Sequence, residues 1–264
     1  MQTNTLFSFQ RFLLLGKQTF IINKKMIGIS LAGFAGLMFF VLFTVQSAAN
    51  FQNWDNHDAM VTFFFLFLQF GFIYNCLSFP SFRTKEKSMA YLMLPATVSE
   101  KFTFELLTRI VLYILLMPLL FWMVANLEGV IIHYFIPDLQ NYKFSFVAFV
   151  SDMIRENKMT GWVTFAILQG ILFVFIASFT GASHFSKSPL LKTGFAFTLI
   201  IAGYGLYSFL LVKGLNLEAF HPANNRVLFI KNEVDGIAAL SVGAAIINLC
   251  LITMAYYKLK EREA

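Results

Sequence analysis

Charge is scarce in this sequence, and cysteine and proline are scarcer. Only 13% of its 264 residues are charged, where an ordinary soluble domain carries roughly 25%, so that class is excluded. The two cysteines, Cys76 and Cys250, both sit inside apolar stretches, which rules out a disulfide framework and any CxxC redox or metal motif. No HExxH pattern and no Ser-His-Asp order occurs. The nearest approach to a phosphate-binding loop, GASHFSKS at Gly181–Ser188, has Ser186 where the second glycine must stand and no preceding strand. A polar turn explains it better. The basic excess, +6 overall, is not gathered into a patch, so nucleic acid is not an expected partner.

What is present is apolar residue in blocks. Hydrophobic residues make up 58% of the chain and phenylalanine alone contributes 34, with a mean hydropathy of +0.69. Six segments approach the ~20 residues a spanning helix needs: 26–46, 59–80, 102–125, 160–183, 193–213 and 236–257. The fold class expected is an all-α integral membrane protein with six transmembrane helices, one membrane domain over 1–264. The first segment is longer than a signal-peptide core and lies too far along the chain, although QSAAN offers small residues for cleavage. It reads as a retained span.

Lysine and arginine set the orientation. Arg11, Lys17, Lys24, Lys25, Arg83, Lys85, Lys87, Lys101, Lys187, Lys192, Lys258, Lys260 and Arg262 fall on one side, thirteen in all. Lys143, Arg155, Lys158, Lys213, Arg226 and Lys231, six in all, fall on the other. Both termini are therefore expected in the cytosol. Residues 1–25 mix apolar and basic side chains and suit a helix lying in the cytoplasmic interface, while 258–264 form a basic tail. The longest outer loop, 128–158, contains FSFVAFVSDMIREN, which reads as a short amphipathic helix.

Between spans two and three lies FRTKEKSMAYLMLPATVSEKF, Phe82–Phe102, with four cations and two acids around a short apolar run. Proline disfavours helix in the residue before it, so a helix through this run should stop near Leu94, with a corner at Leu94–Pro95. Thr97-Val98-Ser99-Glu100 is a capping-box pattern, which starts the next helix. On the short helix Met89, Leu92 and Met93 share a face, suited to a protein groove or to lipid headgroups.

This loop, between spans two and three of six, resembles that of the membrane subunit of a type-two (type V) ATP-binding-cassette exporter. Glu86, Ser88, Leu92, Leu94, Pro95, Thr97, Glu100 and Lys101 match the family's pattern; Lys87–Ser88 stand where the family often has glycine. The resemblance implies a coupling helix, with Glu86, Met89, Leu92, Met93, Leu94 and Pro95 meeting a separate cytosolic ATPase. It implies a second permease copy or paralogue, a bacterial cytoplasmic membrane, export of an unidentified substrate, and no catalytic residue, cofactor or metal in this chain.

Within the spans, Gln69, Asn75, Gln169, Tyr204, Tyr207 and Asn248 are candidates for a translocation path or for interhelical hydrogen bonds. Gly28, Ala32 and Gly36 form a ridge of small residues. Asp55, His57 and Asp58 could hold a divalent metal, although short acidic outer loops are common. His133, His184 and His221 are isolated. Arg109 can pair with Glu105, and no charge lies near the centre of a span, which argues against an ion-coupled carrier. An ATPase-independent channel or carrier, and a non-transporting scaffold, are the alternatives.

Overall fold

In lipid, backbone amides have no water to turn to, so apolar blocks of this length satisfy them inside helices. Helices are what the chain forms. Its structure, a computed structural model, describes residues 7–48, 51, 54–83, 85–93, 96–136, 143–148, 151, 161–214 and 233–263. The elements are α1 (Phe9–Ala48), α2 (Asn56–Cys76), a 3-10 turn (Pro80–Arg83), α3 (Lys85–Leu92), α4 (Val98–Leu106), a π-helical turn (Leu107–Val111), α5 (Leu112–Phe135), α6 (Gly161–His184), α7 (Pro189–Gly214) and α8 (Glu233–Glu263). No strand occurs among the described residues.

Five helices are long and apolar enough to cross a membrane: Phe9–Ala48, Asn56–Cys76, Val98–Phe135, Gly161–His184 and Ile237–Arg262. The expected fifth span, 193–213, lies within the 26-residue α7, whose qualifying apolar part is the shorter Pro189–Gly203. Large apolar side chains stand open along these helices, Ile29 at 73% and Leu240 at 76% exposure among them. Such faces require lipid. The chain is built as a multi-pass membrane protein.

Three helices depart from the expected boundaries, one of them being α8, which continues to Glu263 through most of the stretch expected as a tail at 258–264. The basic stretch before the first span is not a separate element, because α1 runs unbroken for 40 residues. Phe9–Lys25 contains neither a proline nor a capping break, so its alternating polarity reports its surroundings and leaves the backbone free to continue. At the other end, α5 extends to Phe135 rather than stopping near 125. Glu128, expected to open the outer loop, is instead a fully buried residue of that helix. Neither of its carboxylate oxygens has a hydrogen-bond partner among the described residues. Glu128 thus lies in the last third of α5, away from the centre of that helix.

The chain divides into two compact units. Unit one comprises Met1–Gly71 and Leu94–Lys158; unit two comprises Phe72–Met93 and Met159–Ala264. In unit one, Phe63 lies tilted against Phe121 at a centroid distance of 4.9 Å and edge-on to Phe146 at 5.2 Å, and Phe144 meets Phe121 edge-on at 5.2 Å. Two asparagines hold the segment at Phe144–Ser145 by its backbone. Asn126 accepts from the Phe144 amide and donates to its carbonyl, and Asn56 does the same for Ser145. The Tyr113 hydroxyl donates to the Phe67 carbonyl at 2.7 Å, tying α5 to α2.

In unit two, α6 and α8 pack side by side and run in the same direction, since Gln169 meets Asn248 and His184 meets Arg262. At the close of α6, a Cβ on Gly181 would lie 2.3 Å from the Thr193 hydroxyl oxygen of α7. Only glycine admits that approach. The first residue of GASHFSKS is thus accounted for by helix packing.

Candidate functional site

The segment from Phe79 to Glu105 brings together most of what the sequence singles out. It begins with strain. Phe79 has a φ of 54°, a left-handed conformation that a bulky side chain rarely adopts. Its ring is buried, 4.9 Å from Phe179 of α6, and this burial offsets the cost. Phe82, at the end of the 3-10 turn, meets Tyr91 of α3 edge-on at 5.2 Å. The Arg262 guanidinium lies 5.3 Å from the Phe82 ring centroid and donates to the His184 carbonyl at 3.1 Å. It thereby caps the C-terminus of α6, where a cation is favoured. These four contacts, all in unit two, fasten the turn before α3 and, through Tyr91, the end of that helix.

The helix itself is eight residues long and closes with the Met93 amide on the Met89 carbonyl. Its two methionines face outward, Met89 at 60% and Met93 at 82% exposure. Glu86 is exposed beside them. The backbone of Leu92 ends the helix; its side chain, and the whole of Leu94 and Pro95, lie outside the described residues. The expected corner therefore falls where the chain passes from unit two to unit one.

The restart has the geometry that Thr97-Val98-Ser99-Glu100 implies. Thr97 Oγ1 accepts from the Glu100 amide, and Glu100 Oε2 accepts from the Thr97 amide at 2.9 Å. The other carboxylate oxygen is equally engaged: Ser8 N–H donates to Oε1 at 2.6 Å, and Arg11 donates from Nε at 3.2 Å and Nη2 at 2.9 Å. Glu100 is fully buried with an amide or guanidinium donor for each oxygen. It both caps α4 and grips the start of α1. Phe12 packs edge-on to Phe104 at 6.0 Å beside it. One turn on, Arg109 and Glu105 pair at 3.4 Å.

The polar residues of the spans separate on inspection. Asn248 Nδ2 donates to the Gln169 side-chain oxygen at 2.9 Å and lies 3.2 Å from its carbonyl, so this pair joins α8 to α6. Asn75 is buried and Gln69 exposed; the side chains of Tyr204 and Tyr207 lie outside the described residues, as does His221. Asp55, His57 and Asp58 are exposed, with ligand atoms within 4.8 Å of one another, but Asp55 Oδ1 accepts from the Asp58 amide at 2.9 Å. That bond caps α2, which is reason enough for an aspartate there. Of the outer amphipathic stretch, only residues 144–148 and 151 are described.

Reasoning from sequence missed Ser8, Arg11, Phe79, Phe82 and Arg262. A single signal pointed to Arg11: an isolated cation in an apolar helix needs an acid. It also missed Glu128, whose mark is its place as a lone acid in the apolar run Leu127–Ile132. No family model matches the chain, and neither does any curated protein or solved structure.

Proposed function

We propose that the chain is the permease subunit of an ATP-driven exporter of the ATP-binding-cassette type, working in a bacterial cytoplasmic membrane. It would cross six times with both ends inside and take its energy from a separate cytosolic ATPase. The observation that carries this reading is α3: a short helix with two exposed methionines and an exposed acid, whose flanks are firmly held. Buried apolar anchors inside a charged rim are what most protein interfaces use. A push on α3 reaches the rest of unit two through Phe82 and Phe79. The parallel course of α6 and α8 supports a crossing by α7 between them. A second copy or paralogue would complete the permease, and the ridge at Gly28, Ala32 and Gly36 supports this, since among the described residues nothing beyond the helix's own backbone lies within 4 Å of a Cβ built on Gly28 or Gly36.

The test is co-purification of a cytosolic ATPase together with ATP-dependent flux in the same membranes. Truncating Met89 and Met93 to alanine should abolish both while insertion and abundance stay near wild type. A double variant that keeps partner and flux would remove the reason for assigning α3 to coupling.

A second reading, an ATPase-independent carrier driven by an ion gradient, is favoured by Glu128. Buried carboxylates at membrane depth are costly and commonly serve ion or proton pathways. It requires transport by the chain reconstituted alone, lost in Glu128→Gln. The ATP-driven reading requires that the chain alone transport nothing. A scaffold that binds the same partner without flux would show the partner loss and no transport in either assay.

A further inference from the structure

Below the turn that joins α6 to α7, unit two contains an open cavity of about 570 Å³. Two cations from separate elements line it, Arg83 at the end of the 3-10 turn and Lys187 in the turn itself. Both are exposed, and neither has an acidic partner among the described residues. The hydroxyl-bearing Ser186 and Ser188 stand beside them, and the rest of the wall is apolar, with Leu77 39% and Leu191 74% exposed. α7 begins at Pro189, which has no N–H to donate, so the Leu190 and Leu191 amides are its first donors at this wall.

We propose that this cavity binds the phosphate headgroup of an anionic phospholipid. Arg83 and Lys187 supply two positive charges to one volume, and two cations beside one another at a headgroup layer attract a phosphate. A free phosphate would be served by the polar side of the cavity alone. The exposed leucines on the same wall fit the glycerol and upper acyl carbons of a lipid, which stay in the membrane when the headgroup is bound. This is why the occupant is a lipid and not a soluble anion. The site does not depend on the transport reading; it needs only that the cytosolic end of α7 reach the headgroup layer.

The purified chain is placed in nanodiscs of phosphatidylcholine containing a minor fraction of phosphatidylglycerol, then released, and its retained lipids are counted by native mass spectrometry. The wild type should retain phosphatidylglycerol over phosphatidylcholine by about tenfold relative to the bulk ratio, given the pull of two nearby cations. Arg83→Gln with Lys187→Gln should bring that enrichment down to about twofold or less. Arg83→Lys with Lys187→Arg should restore it. Lys192→Gln removes a cation that lies over the Phe185 ring instead and should change little. Matching unfolding temperatures in pure phosphatidylcholine establish that the double variant is folded. Unchanged enrichment in a folded double variant overturns the proposal. So does displacement of the lipid by millimolar inorganic phosphate, which would make the site one for a soluble anion.

Discussion

The two halves of the segment between α2 and α5 are built to opposite ends. From Phe82 to Met93 the chain spends its aromatic residues on anchorage and leaves two methionines in the open. From Thr97 to Glu105 it buries two acids and a lysine and leaves almost no side-chain valence unused at Glu100. The first half offers a surface and the second a grip. Some twenty residues thus contain both a part that can be touched without consequence for the fold and a part that cannot. The boundary between them coincides with the boundary between the two units.

That contrast predicts a steep gradient of mutational effects. The largest should come from Glu100→Gln. It removes the charge that Arg11 answers and disrupts the Ser8 and Thr97 bonds; breaking a buried pair from one side costs about 3 kcal/mol, trimmed here because Arg11 is 30% exposed. Thermal unfolding in detergent should show it, and amide exchange at residues 8–12 should accelerate. Stability near wild type would mean that the grip on α1 is incidental.

Next comes Thr97→Ala, which removes one half of the capping box and should cost about 1 kcal/mol. The loss should appear as faster amide exchange at residues 98–101, with α1 unaffected. An equal effect at residues 8–12 would show that cap and grip form one cooperative unit.

Across the boundary the effects on stability should nearly vanish. Met89→Ala with Met93→Ala should stay within about 0.5 kcal/mol of wild type, because neither side chain is buried, while binding of a cytosolic partner falls steeply. The smallest change expected is that of Glu86→Lys: no shift in unfolding, and a loss of partner affinity confined to low salt. A large drop in stability from either variant would place α3 in the core and erase the contrast.

Both halves of this segment were legible to different depths. The proline and the Thr97-Val98-Ser99-Glu100 run announced a stop and a restart, because those signals act through the local backbone and need no knowledge of what lies nearby. What Glu100 does beyond capping was invisible, since Ser8 and Arg11 are some ninety residues away and pair with it only through tertiary packing. The same reason hid Arg262 over Phe82. Of the spans, hydropathy located every long helix but misjudged three ends, stopping α8 short of the basic residues that its helix includes. It broke α1 at its lysines and ended α5 before Glu128, because a charged residue was taken to mean water. A helix needs only continued hydrogen bonding, and Glu128 shows that this chain will carry a carboxylate into its interior.

The unbroken course of α1 has one more implication. Forty residues of helix measure about 60 Å at 1.5 Å per residue, twice the ~30 Å of a bilayer's hydrocarbon core. A rod of that length cannot be housed by tilting alone, since spanning helices rarely lean beyond about 40°. Its basic N-terminal part, up to Lys25, must therefore leave the hydrocarbon. That end is the one held by Glu100. With no proline to act as a joint, the helix works as a lever whose short arm sits at the restart of α4: turning it there by about 5° would carry a point ~60 Å away through roughly 5 Å. A small displacement at the end held by Glu100 would be read out, magnified, at the far end of the same helix.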